Sequence, residues 1–426
     1  RQPRWRRRAA TQDGAAARRR IGTLRAELEA CYARLWRSGA EASGVRRGAT
    51  LAVERRALAL EGKLRRLAAA TAVPERAFEP ERSGRGVEVI YFSAAGRLGA
   101  LCRSGGRLTV QRDLAPVDDV ERRVRLLHYH MEVRGTRLAE LDRHRETMRG
   151  RMREHLQALA DRLLQPVLPA TWEGPVRITP WGPLHRVPFH ALPWRGAPLV
   201  EHAEVVLEPG RGGAPLGPGR HGALVVAHAA WETDAIEDEA RSVAARLEAG
   251  GVEVERAVGA EATRARLGSR AADAALVHLA GHAVYRAEHP EFSALKLADG
   301  WISARDLAAL PLAGACVVLS ACESGPRGVV AGDEMLGLAR GLRRAGASAV
   351  VASLWRVDDR ATRAFMDELY RSWAAGGRLG AALCDVQRRA AAHGADVYLW
   401  APFCLMGEPD VGWPNTLQTA PGRRYA

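Results

Sequence analysis

The sequence predicts an α/β protein: a mostly parallel sheet with helices on both faces. A β-meander with long helices precedes that sheet, and an α-helical segment precedes the meander. Three observations carry this reading. Ala223 to Ala227, Ala275 to Leu279, Cys316 to Leu319 and Ala349 to Leu354 are apolar at nearly every position, as strands buried on both faces must be. These runs alternate with helical stripes over about 234–247, 334–345, 359–374 and 379–393, and that alternation marks a parallel sheet with helical crossovers. Between residues 87 and 111 the apolar period is that of short strands, punctuated by glycine turns. The 426 residues accordingly divide into an Arg-rich helical segment (1–82), a meander and long-helix part (83–220) and a parallel-sheet part (221–426).

In the first segment Ile21, Leu24, Leu28 and Leu35 recur at helical steps, as do Ala57, Leu60, Leu64 and Leu67. Gly39, Ser43, Gly44 and Gly48 separate the two stripes. The pattern predicts a helical hairpin of the kind that ends a helical repeat array, although no full repeat is visible. Pro74 to Gly86 reads as a linker. Val87 to Phe92, Arg97 to Cys102 and Leu108 to Gln111 read as strands, with turns at Ala94-Ala95-Gly96 and Ser104-Gly105-Gly106. A helix starts at Asp118-Asp119, and a stripe from Val120 through Leu127, Met131, Leu138, Leu141 and Met152 to Leu163 fits one long helix or two broken near Gly135. Val176 to Ile178 is a short strand. Gly210 to Gly222, with Pro215 and Pro218, is a surface loop whose glycines do not open a helix and so form no dinucleotide fingerprint. Val252 to Val254 reads as a strand and Glu261 to Leu267 as a short helix.

Charge is unevenly placed. The net charge is +14, from 63 basic and 49 acidic residues, and only Lys63 and Lys296 among the bases are lysines. The first 82 residues carry 20 bases against 9 acids, so +11 of the +14 resides there. Such an arm suits nucleic acid, acidic lipid or an acidic partner. No base-reading motif or basic-aromatic platform accompanies it, so a solvated helical face is the plainer reading and nucleic acid is expected, if anywhere, only here. No apolar run reaches the roughly 18 residues a membrane span requires. No secretory signal is visible, and Arg1 in first place suggests a piece of a longer product. Six unevenly spaced cysteines oppose a secreted disulfide framework, so a reducing cytoplasm is the expected compartment.

Two residues stand where chemistry is expected in an open α/β sheet, at the carboxyl ends of strands. His282 follows Val277-His278-Leu279, and Cys322 follows Val317-Val318-Leu319, each just beyond an apolar strand where a turn begins. A thiolate is a strong nucleophile, and a nearby imidazole accepts its proton. The tetrahedral oxyanion then needs backbone N–H donors. The opposing reading is a buried inert cysteine and a hydrogen-bonded structural histidine. His278 and His282 are four apart, but zinc-binding histidines at that spacing are helical and the HExxH glutamate is missing, so no metal is expected. There is no Walker loop and no GxSxG elbow, and no cofactor is expected. Cys31, Cys102, Cys316, Cys384 and Cys404 read as core.

The stretch from about 87 to 408 resembles the CHAT family, caspase-like peptidase domains often found behind tetratricopeptide repeats in bacteria. The likeness runs in order through Pro180-Trp181-Gly182-Pro183-Leu184-His185, Pro188-Phe189-His190-Ala191-Leu192, Gly259 to Thr263, Leu297-Ala298-Asp299-Gly300 and Ile302-Ser303. It continues through Leu319-Ser320-Ala321-Cys322-Glu323-Ser324-Gly325, Gly332-Asp333-Glu334, Gly346-Ala347, Ser353-Leu354-Trp355-Arg356-Val357-Asp358-Asp359 and Trp400-Ala401-Pro402-Phe403. The resemblance implies a caspase-like sheet in 221–426, preceded by a pseudo-caspase half. It implies Cys322 as nucleophile, His282 as base, and the N–H groups of Cys322 and Ala283 as oxyanion donors. The family usually carries Gly after the His; Ala283 departs from that. It further implies that Ser320, two before the Cys, lines the P1 pocket, and that Asp358 or Asp359 faces a basic P1 residue; helix capping is the alternative role for that pair. Its implied setting is a regulated cysteine endopeptidase of bacterial stress, antiphage defence or cell death. A protein substrate, gasdermin-like by analogy, and a regulatory partner or N-terminal sensor go with it. An inactive scaffold, a nucleic-acid module and a zymogen with a mobile Ser324–Gly332 loop are the rivals.

Overall fold

A computed structural model describes residues 86–136, 145–208, 220–229, 234–284, 292–323, 335–355 and 357–414, with parts of two helices inside 20–34 and 52–63. The stretches expected as the linker before Gly86 and as the mobile loop over 324–332 lie outside the described residues, as does 210–219 of the loop expected over Gly210–Gly222, whose last two residues instead open a strand. The chain divides into two compact units, Arg1–Arg82 and Ser83–Ala426. In the first, Leu28, Ala57 and Leu60 are buried, and Arg56 pairs with Glu27 at 2.8 Å. The helical steps seen in the sequence thus become a packed contact between the two stretches.

The second unit is built on one 13-stranded sheet. Its opening meander comprises β1 (Val87–Ala94), β2 (Arg97–Ser104) and β3 (Arg107–Pro116), antiparallel throughout. Both hairpins have two-residue loops that need positive φ at each position. Gly105 and Gly106 supply it at 53° and 77°, while Ala95 and Gly96 do so at 50° and 74°. Helices α1 (Val117–Thr136) and α2 (Arg145–Leu163) follow, and the stretch of the stripe between them lies outside the described residues. Val120, Val124, Leu127, Met131, Met152, Leu159 and Leu163 all join the core.

Strands β4 (Val176–Thr179) and β5 (Val205–Leu207) continue the sheet in parallel with β1. Then come β6 (His221–His228), helix α3 (Asp234–Ala249), β7 (Val254–Val258), helix α4 (Arg264–Arg270) and β8 (Ala274–Val284). A hairpin of β9 (Ala294–Leu297) and β10 (Gly300–Ser303) precedes β11 (Cys316–Glu323), helix α5 (Met335–Arg344) and β12 (Ala349–Ser353). Helices α6 (Asp359–Ala374) and α7 (Leu379–Ala392) and strand β13 (Phe403–Gly407) complete it. Strands β7, β6, β8, β11 and β12 lie side by side and parallel; antiparallel β13 then joins β12 to β5 and so to the meander. The sheet therefore runs unbroken from the meander into the parallel part. Strands β8 and β12 are buried along both faces, which is why their sequences are apolar at successive positions rather than alternately.

Several expected bounds move. The strand expected at Val252 begins at Val254, because Gly251 (φ 79°) ends α3 and Val252 N–H still bonds to the Leu247 carbonyl. The helix expected from Glu261 begins at Arg264, where Thr263 caps it by accepting from Arg266 N–H. The sharpest change is at the strand ends. His282 and Cys322 lie inside β8 and β11, not past them, because pairing with their neighbours extends both strands through residues 283 and 323. Of the five cysteines read as core, Cys102, Cys316, Cys384 and Cys404 are buried and Cys31 is half-buried.

Candidate active site

The register of two parallel strands builds the site. His282 of β8 and Cys322 of β11 are direct partners, so their Cα positions lie one strand spacing apart, about 4.8 Å. The flanking strands end earlier. β6 pairs with β8 no further than Gly281, and β12 pairs with β11 no further than Leu319. On the β6 side, β9 takes over only at Ala283, so the His–Cys pair sits at the carboxyl edge of the parallel strands, where open α/β folds leave a crevice.

A small cleft, part of it open to solvent, occupies that edge. Gly281, His282 and Ser320 line it from the strands, Ala235, Ile236 and Glu239 from α3, and Asp359 and Thr362 from α6. Positions 278, 280 and 282 share one face of β8, since side chains alternate along a strand. His282 and Ser320 are 6% and 7% exposed, so both sit in a largely water-excluded wall.

Four residues below His282 on the same face, His278 is fully buried. Its Nδ1 is 3.1 Å from the Tyr370 hydroxyl, and its Nε2 is 3.3 Å from Glu239 Oε1. Burial, with Cys316 and Glu239 nearby, holds the Tyr370 phenol well above its ordinary range. His278 is thus engaged by a phenol and a carboxyl. Among the described residues no group of three His, Cys, Asp or Glu side chains could hold a metal ion.

The two aspartates expected at P1 separate. Asp358 caps α6, accepting from Arg360 N–H at 3.0 Å and Ala361 N–H at 3.2 Å. Asp359 instead lines the cleft beside His282 and Ser320. Ala283 is fully buried and pairs with Leu295 on one side and Glu323 on the other. It is not among the residues with positive φ, so alanine in the family's glycine position carries no backbone strain here. Trp355 anchors the chain after β12: its indole N–H donates to the Tyr398 carbonyl at 3.0 Å, and its own carbonyl accepts from Ser353 Oγ. His128 of α1 meets the indole edge-on at 5.7 Å. Sequence reading missed Glu239 and Thr362; the available signal was a carboxylate on the stripe that Ile236, Ala240 and Val243 otherwise make apolar.

The profile of the CHAT domain matches residues 153–408, more than half of the chain. The chain belongs to the CHAT-domain family. No curated protein matches this CHAT-domain chain. Among solved structures it is similar to two of the Saccharomyces cerevisiae separase–securin complex, at 8% and 9% identity and a TM-score of 0.51 in each case. Each match covers 76% of this chain and 30% of that one, so the CHAT-domain chain spans under a third of the longer chain it resembles. A complex of Porphyromonas gingivalis RgpB pro- and mature domains also matches, at 10% identity and a TM-score of 0.38, covering 69% of this chain and 76% of that one. At these identities the likeness to separase concerns the fold, which is the caspase-like α/β sheet expected from the sequence.

Proposed function

We propose that this CHAT domain is a cysteine endopeptidase working through His282 and Cys322. The observation that carries this reading is the register that makes those two residues partners at the carboxyl ends of adjacent parallel strands. The Cys322 thiol passes its proton to His282, and the sulfur attacks the substrate carbonyl carbon. The oxyanion is held by the backbone N–H of Cys322, with Ala283 N–H as the second donor implied by the family. Collapse expels the amine, which takes the proton from the imidazolium and leaves a thioester that water hydrolyses. Ser320 and Asp359 line the P1 pocket, and the Asp359 carboxylate favours a basic P1 side chain.

The substrate is a partner protein. The setting is regulated proteolysis in the cytoplasm, in bacterial stress, antiphage defence or cell death, with a gasdermin-like substrate as one candidate and a regulatory partner or N-terminal sensor as the trigger. Among the described residues no helix is long and apolar enough to cross a membrane. The test is alkylation of Cys322 in the full chain at neutral pH. Labelling that falls at least tenfold in His282→Ala supports the dyad, and equal labelling in both proteins sinks it. A library of peptides with Arg, Leu or Asp at P1 reads specificity, and no preference for Arg removes the Asp359 assignment.

A second reading, a caspase-like scaffold that binds a partner without cleaving it, is favoured by one observation. Ala283 is fully buried, with Leu295 and Glu323 as its register partners, so the residue beside His282 is built into the sheet. A Cys322→Ala chain that binds the partner as well as the native chain does, with no cleavage by either, is the outcome this reading expects.

A further inference from the structure

Glu239 is an unusual wall for a cleft. It is 4% exposed, stands on the apolar face of α3 and lines the same small space as His282. Burying a carboxyl there is costly unless it has a partner or a task. Its Oε1 lies 3.3 Å from His278 Nε2 but outside hydrogen-bonding alignment, so that contact leaves the oxygen's capacity unspent. His278 is itself held from the other side by the Tyr370 hydroxyl at 3.1 Å. The chain Tyr370–His278–Glu239 thus runs across the buried face of β8 and ends at the cleft. On that face only the small Ala280 intervenes between His278 and His282.

We propose that Glu239 is a positioning residue for His282: its carboxyl, in the wall of the cleft that His282 also lines, favours the imidazolium, with His278 and Tyr370 packed behind it. The inference rests on the reading of His282 as the base. Other groups facing the cleft are the Asp359 carboxyl and the Thr362 hydroxyl from α6 and the Ser320 hydroxyl from β11. Asp359 is half-buried, so water screens it more than it screens Glu239. Three further acids on α3 are engaged elsewhere, Glu237 and Asp238 with Arg241 and Glu248 with Arg256. A thiolate–imidazolium pair needs this kind of support, because a carboxylate near the imidazole favours its protonated form.

The experiment is the titration of His282 by NMR in the full-length Cys322→Ala chain, with ¹³C-labelled histidine rings and the resonance assigned by its loss in His282→Gln. Glu239→Gln should lower the His282 midpoint by about one pH unit, a tenfold change in proton affinity. Glu239→Asp should restore most of it, and Asp359→Asn should move it less than Glu239→Gln does. A His282 midpoint in folded Glu239→Gln within 0.2 of its parent overturns the proposal. Should Glu239→Gln fail to fold, Tyr370→Phe keeps the volume and frees His278; an acid-side shift of roughly 0.3 is expected there, and an unmoved midpoint overturns the proposal equally. Alkylation of Cys322 in the native background separates the two failures. His282-independent labelling ends the peptidase reading, whereas His282-dependent labelling with the same pH profile in Glu239→Gln ends only this one.

Discussion

Lowering the pH should destabilise this protein well before its carboxylates titrate. Three buried histidines carry the effect. Burial, with the Arg186 charge nearby, pushes His128 down to about 3, although its Nε2 lies 2.8 Å from the Arg186 carbonyl. His185 is also pushed down to about 3, by burial and by Arg340, whose guanidinium donates to its Nε2 at 2.6 Å. A protonated His185 would set two cations against each other. Burial pushes His190, beside Trp400, to about 4. The unfolded chain protonates each near 6.5, so it binds more protons than the folded chain between that pH and the folded values. Stability is therefore full above about 6.5 and declines as the pH falls toward 3 or 4. At pH 5 each histidine is neutral when folded and about 97% protonated when unfolded, a loss of ~2 kcal/mol each and ~6 kcal/mol together. That is a large share of the 5–15 kcal/mol a typical domain possesses. For a unit spanning Ser83–Ala426 the unfolding entropy is roughly 0.7 kcal/mol/K, so Tm should fall by about 8 °C between pH 7.5 and pH 5. Calorimetry across that range checks it. His185→Gln, which keeps an acceptor for Arg340 but cannot charge, should remove about a third of the slope. A Tm flat to within 2 °C over that range would refute the reasoning.

Three further outcomes follow from the packing. Burial pushes the Cys384 and Cys404 thiols up to about 12 and raises Cys102 and Cys316 as well, so iodoacetamide at pH 7 should label Cys322 at least tenfold faster than any of these four, by peptide mass mapping in a Cys31→Ser background. Asp358→Ala should lose one helix cap, lowering stability by about 1 kcal/mol in urea unfolding without altering P1 preference, whereas Asp359→Ala should alter that preference and leave the cap intact. Trp373 is fully buried, donates to the Val411 carbonyl at 3.2 Å and stands edge-on to Trp413 at 5.4 Å; Trp373→Ala should destabilise by about 3–5 kcal/mol, read as a shift of the urea midpoint.

The sequence by itself determined the class of fold and the identity of the family. Strands buried on both faces leave no room for polar alternation, and helices between them keep a 3.6-residue period, so β8, β11 and β12 and helices α3, α6 and α7 are legible in the order of residue types alone. The motifs around His282 and Cys322 were legible for the same reason: each couples an apolar strand to small and reactive residues at its end. Tertiary structure decided what depends on partners distant in the chain. Whether a strand stops at Leu279 or runs to Val284 is set by the neighbour it pairs with, and that pairing makes His282 the direct partner of Cys322. Whether Asp358 or Asp359 reaches the cleft depends on which of two adjacent residues the first turn of α6 spends as its cap. Glu239 was illegible because nothing local distinguishes a carboxylate on an apolar helical face from a chance interruption. Its meaning arises only when α3, β8 and α6 bring it to His278, Tyr370 and the cleft.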